Sequence, residues 1–207
     1  MMYQPRTYRR AVKDIDLVSF SLTIKETDLY IRAHRNLRRQ ALKITAECRK
    51  EIEDYIQQHP EFLTSLKPVP AAPDAPRIVQ EMTRAAAAAG VGPMAAVAGA
   101  IAEAVGRGLL EFSSEVIVEN GGDIYLKTTR KRRVGIYAGD SPLTGRVSLE
   151  IRPDQTPSGI CTSSGTVGHS LSFGQADAVV VLAGSAALAD AAATAIGNVV
   201  QDREDIP

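Results

Sequence analysis

Cysteine is nearly absent from this chain of 207 residues, Cys48 and Cys161 being the only two. Two thiols are too few for a disulfide framework and lack the spacing of a metal knuckle, so a reducing cytoplasm is the expected compartment. Net charge is absent as well. Lys plus Arg and Asp plus Glu balance at 24 each, which leaves no overall field to gather nucleic acid or an acidic membrane. The local basic run at 130–133, "RKRR", reads as a solvated hairpin turn. No apolar h-region follows the charged opening "MMYQPRTYRRAVKD", so a secretory signal is not expected. A long hydrophobic run is missing too. Residues 85–102, "AAAAAGVGPMAAVAGAIA", come nearest, but Ala and Gly gain little from lipid and Gly92-Pro93 breaks the run. They read as two closely packed helical pieces of a soluble protein, with no membrane partner.

What is present suits a globular domain. Apolar residues make up 44 % and charged residues 23 %, and the length is enough to bury a real core within one domain spanning 1–207. Alternation on both sides of "KETD" predicts a hairpin over 17–33. Apolar residues at helical spacing, from Leu37 through Cys48 to Ile56, predict a long amphipathic helix over 36–58, ended by His59-Pro60. Cys48 falls on its apolar stripe and reads as an inert core thiol. A proline-stiffened connector follows at 68–76. Two helices are then expected, the first from Pro76 to about 89 and the second over 94–110. Strands are expected in "SEVIVEN", "DIYLKTT", "RVGIYAG", "VSLEIRP" and "DAVVVLAG", and a last helix begins at the N-cap Ser185. Without regular βαβ alternation, the fold class is α+β.

Four constellations can carry chemistry, and each also has a plain structural reading. "ENGGDIYL" at 119–126 is a hairpin turn whose glycines tolerate positive φ; it also brings Asn120, Gly121, Gly122 and Asp123 together. "GVGPM" at 90–94 is either a helix corner or an anion site at a helix start. "ICTSSGTVGHS" at 160–170 is either a solvated loop or a cradle for a phosphate or a flavin's polar edge, with His169 as a general base or ligand and Cys161 as a nucleophile that lacks an identified base. On "ADAAATAIGN", Asp190 and Thr194 lie one turn apart on one helix face. They are hard oxygen donors suited to Mg²⁺, although Asp190 near a helix start also suits the dipole.

Taken in order, "NGGDI", "TSSG", a Val-rich strand and "ALADAAATA" resemble the ApbE family, the FAD:protein FMN transferases, over roughly 116–198. The chain looks closest to a shorter branch with "GVGPMAAVAGAIAE" and "CTSSGTVGHSLSFGQADA" as hallmarks, a branch linked to homocysteine synthesis and sulfur assimilation in anaerobes. The resemblance implies a T-fold-like ApbE-type domain, a mainly antiparallel sheet packed with long helices. It implies Mg²⁺ held by Asp190 and Thr194 with a carbonyl near Ala183. A flavin nucleotide, FAD or FMN, would be lined by Asn120, Gly121, Gly122, Asp123, Thr162, Ser163, Ser164 and Gly165. His169 takes the place of the family's catalytic His in H-x-x-D-P-x-T-G, but "SLSFGQAD" follows it here, and the family's insertion before it is gone. The implied activity is FMN transfer or FAD pyrophosphate cleavage on a small nucleotide-like ligand. The rival is a non-transferase sulfur-assimilation factor with Cys161 as carrier, or a binding module without catalysis. A homo-oligomer is an assembly the sequence leaves open.

Overall fold

The computed structural model describes residues 6, 8–9, 16–167 and 171–206. Strands β1 (Val18–Ile24) and β2 (Thr27–Ala33) form the expected hairpin, in register from Val18 opposite Ala33 to Ile24 opposite Thr27. Helix α1 (Arg38–Gln58) buries Ala41, Thr45, Cys48, Ile52 and Tyr55, the three-to-four spacing of one face. The chain then re-enters helix as α2 (Glu61–Thr64), a single turn that the sequence reading misses. One buried apolar residue, Phe62, is all the pattern that so short an element can show. Helix α3 (Arg77–Ala89) starts directly after Pro76. A 3-10 turn, Pro93–Ala96, leads into α4 (Val97–Leu109), and this Pro93–Leu109 piece is bent by 105° from α3. Among the described residues no single helix is long and apolar enough to cross a membrane.

The remaining strands are β3 (Val116–Asn120), β4 (Asp123–Lys127), β5 (Arg132–Gly135), β6 (Ser148–Ile151), β7 (Ser158–Ser163) and β8 (Val179–Ala183). Six of the eight form one sheet in the order β1-β2-β3-β4-β7-β8, every pairing antiparallel, and β5 with β6 makes a separate ribbon. The expectation of a loop over 160–170 is corrected at its start. Residues 158–163 are a strand between β4 and β8. Its small side chains hide it from a pattern search, and they are what lets α5 (Ala186–Val199) lie on it. A Cβ at Gly159 would stand 2.2 Å from the Ala186 Cα.

Alternation along the strands divides two cores. Leu22, Leu29, Ile31, Val116, Val118, Tyr125 and Cys161 face α1, α3, α4 and α5, while Ile117, Leu126 and Ile160 face the other way, toward Leu17 and Ile151. The "RKRR" run is also corrected in part. Arg132 is not solvated: it lies in β5 at 9 % exposure. Its Nη1 and Nη2 donate to the two Asp16 carboxylate oxygens at 2.8 and 2.7 Å, and Nη2 also donates to Glu115 at 2.6 Å. That bidentate pairing anchors the ribbon to the main sheet.

Candidate functional site

Strands β3 and β4 pair as far as Asn120 opposite Asp123, so the chain must reverse within Gly121 and Gly122. Both take positive φ, 69° and 108°, a region that L side chains avoid. The turn is pinned from outside by Glu119. One carboxylate oxygen accepts the Gly122 N–H at 2.8 Å and the Tyr8 hydroxyl at 2.8 Å; the other accepts Arg9 Nε at 2.6 Å. Arg9 also grips Asp28. On the helical side of the turn, Asn120 Nδ2 donates to the Ala98 carbonyl at the start of α4 at 3.1 Å. Asp123 is buried and accepts the Thr162 N–H across the β4–β7 pair at 3.3 Å.

Helices α4 and α5 cap each other. Asp190, in the second turn of α5, accepts the Gly99 N–H in the first turn of α4 at 2.9 Å. Glu103, one turn into α4, accepts the Ser185 hydroxyl at 2.9 Å and the Ala186 N–H at 2.7 Å at the start of α5. Each carboxylate thus meets orphan amides and the positive end of the partner's dipole. Close approach makes this possible, since a Cβ on Gly99 would fall 2.2 Å from the Ala186 carbonyl oxygen. The Gly99 amide at the α4 start is thus taken by the protein's own Asp190 side chain. The helix corner expected at "GVGPM" is present, at the 3-10 turn that precedes α4.

The Asp123 charge acts on Asp190. Burial first, and then the Asp123 charge, hold the Asp190 carboxyl well above the usual carboxylate range. Burial also pushes Asp123 up, with the Glu119 charge adding to it, against the pull of hydrogen bonds from Cys161 and the Thr162 amide. Cys161, fully buried beside them, is raised by burial and by both carboxylates, and its Sγ donates to the Ala186 carbonyl at 3.3 Å. Cys161 packs in the core, and burial with a raised pKa opposes the thiolate form that a nucleophile or carrier uses.

The structure brings Asn120, Gly121, Gly122, Asp123, Thr162 and Asp190 to one corner of the sheet, where β3, β4 and β7 meet the N-terminal ends of α4 and α5. Asp190 and Thr194 are both part-exposed on α5. Ser163 is buried, and Gly197 of α5 packs against it. The Ser164 hydroxyl is spent on its own loop, accepting the Thr166 and Val167 amides, and the Gly165 N–H bonds the Ala176 carbonyl. His169 lies outside the described residues. Sequence reading misses Glu103, Glu119 and the Arg6–Arg9 segment. A lone glutamate in a helix or strand gives no signal until its partners, 82 and 110 residues away, are placed beside it.

A family profile described as AbpE bacteria matches residues 9–206. The UPF0280 protein of Methanococcus aeolicus is 47 % identical over 190 residues, 90 % of this chain and 74 % of that one. Its counterpart in Methanocaldococcus jannaschii is 46 % identical over 187 residues, 89 % of this chain and 76 % of that one. Among solved structures, the flavin transferase ApbE of Vibrio cholerae superposes with a TM-score of 0.54 at 15 % identity, covering 90 % of this chain and 88 % of that one. The apo flavinyl transferase ApbE of Pseudomonas stutzeri gives 0.54 at 14 % identity, over 94 % and 88 %. The likeness to those two structures is one of fold, α+β with a mainly antiparallel sheet. With the profile spanning nearly its whole length, the chain belongs to the AbpE bacteria family.

Proposed function

We propose that this protein binds a flavin nucleotide through Mg²⁺ at the corner between the Gly121-Gly122 turn and α5, as a basis for FMN transfer or FAD pyrophosphate cleavage. The observation that carries the reading is the meeting of α5 with the Asn120–Asp123 turn, where Asp190 accepts the Gly99 N–H and Asn120 donates to the adjacent Ala98 carbonyl. A divalent cation there would offset the charge of the Asp190 and Asp123 carboxylates. The donor set fits Mg²⁺ in kind. Asp190 Oδ2 is committed to Gly99, which leaves Oδ1, and the Thr194 hydroxyl follows one turn along α5. Among the described residues no group of three His, Cys, Asp or Glu side chains is arranged to hold a metal. The remaining ligands would thus be backbone carbonyls, water and the nucleotide's own phosphates, as is usual for this ion. Bound there, Mg²⁺ would supply charge stabilisation to a pyrophosphate.

The chain's own part is to position. Glu119 fixes the turn so that two side-chain-free residues face the ligand, Asn120 ties the turn to α4, and the Gly99 amide orients Asp190. Asp190→Asn separates the metal role from the cap, because an amide oxygen still accepts the Gly99 N–H while the charge is lost. FAD titrated by calorimetry with Mg²⁺ should bind wild type and the exposed control Glu204→Gln alike, and Asp190→Asn at least tenfold more weakly. EDTA should have the same effect on wild type. Equal affinity with and without EDTA would end the metal reading.

A further inference from the structure

We propose that Tyr137, tilted against Tyr8, is the platform on which the flat aromatic ring of the nucleotide rests. The proposal builds on the flavin-nucleotide reading and adds the element that would hold the ring. Three contacts place the pair at the site. The Tyr8 hydroxyl and the Gly122 amide donate to the same Glu119 oxygen, each at 2.8 Å, so the two donors are no farther apart than twice that distance. The Tyr8 and Tyr137 rings lie 5.5 Å apart at 32°. Tyr137 belongs to the 136–147 loop of the β5–β6 ribbon. Two residues on, Gly139 meets the loop that follows β7, where a Cβ would stand 2.5 Å from Val167 Cγ2. The ribbon loop therefore reaches from Tyr8 to the end of the Thr162–Val167 stretch.

Tyr137 is 40 % exposed and belongs to neither core. An exposed ring held at a tilt by a second, anchored ring is free to stack on one more π-face. Tyr8 is anchored firmly. Its hydroxyl bonds Glu119, Arg9 beside it pairs with Glu119 and Asp28, and Arg6 Nη1 donates to the Asp28 carbonyl at 2.7 Å. Through these bonds Arg6 and Arg9 hold Tyr8 in place, and Tyr8 sets the angle of the platform.

The test is titration of FMN and of inorganic pyrophosphate, both with Mg²⁺, against wild type, Tyr137→Leu and Tyr137→Phe. Tyr137→Leu should weaken FMN binding about tenfold, the low end of what ring stacking contributes, and should relieve quenching of the flavin emission. Pyrophosphate affinity should not change, and Tyr137→Phe should bind FMN as wild type does. Wild-type FMN affinity in Tyr137→Leu would overturn the platform and leave the flavin reading standing. Equal weakening of FMN and pyrophosphate would overturn it too, because Tyr137 would then act through the fold. A wild type that binds neither FMN nor FAD would overturn both.

Discussion

At Cys161 the same small side chain that looks reactive in a run of hydroxyls is held in the thiol form by its neighbours. Thiolate is the reactive form, and burial next to two carboxylates opposes it more strongly than any nearby hydroxyl dipole can favour it. Cys48 is alike in kind: burial and the Glu51 and Glu47 charges push its thiol up to about 11. Both thiols should therefore resist an aromatic disulfide reagent in the folded protein at pH 8 and react fully once it is denatured. Rapid labelling of Cys161 in the native state would contradict its place in β7. Gly122 shows the reverse case, a residue whose meaning was already present in the sequence. A tight reversal between two strands demands positive φ whatever the rest of the fold does, and the observed 108° meets that demand.

Between elements, the reciprocal caps of α4 and α5 decide how the site is built. Neither helix has a strong cap from its own flanks: Ala96 offers α4 none, and the Ser185 hydroxyl accepts from Leu188 at a long 3.4 Å. Each instead borrows a carboxylate from the other, which fixes their relative height and so sets Asp190 beside the Asn120–Asp123 turn. Glu103→Ala would leave the Ser185 hydroxyl and the Ala186 amide without their acceptor. It should lower stability by about 1–3 kcal/mol in urea denaturation, whereas the exposed control Glu111→Ala should stay within about 0.5 kcal/mol. If the two variants unfold alike, the borrowed cap contributes nothing. The same variant should also weaken FAD binding, because α5 carries the proposed metal donors.

For the molecule as a whole, the β5–β6 ribbon is held by charge as well as by the second core, and it carries Tyr137. The hydrogen bonds from Arg132 hold the Asp16 carboxyl down to about 2. Glu115, against the burial that would raise it, is kept below its usual range by Thr129 and Arg132. Both folded pKa values are depressed, so this contribution is complete above the ordinary carboxylate range and is lost as pH falls from about 4 toward 2. Amide exchange in 132–151 should quicken over that window, ahead of the hairpin β1–β2. Simultaneous loss of protection in both would mean that the ribbon is not anchored by the Asp16–Arg132–Glu115 group. The sequence by itself determined what local periodicity and backbone sterics can determine: the first hairpin, the face of α1, the break at Gly92-Pro93, the reversal at Gly121-Gly122 and the cap at Ser185. It also placed Asp190 and Thr194 on one helical stripe. Tertiary structure alone decided that 158–163 is a strand, since its small residues have no apolar rhythm and take their conformation from β4, β8 and α5. It alone decided that Arg132 and Cys161 are buried and that Asp190 meets the Gly99 amide. Those are pairings across 17 to 116 residues, and a chain read in one dimension holds no signal for which distant charge or amide a carboxylate will meet.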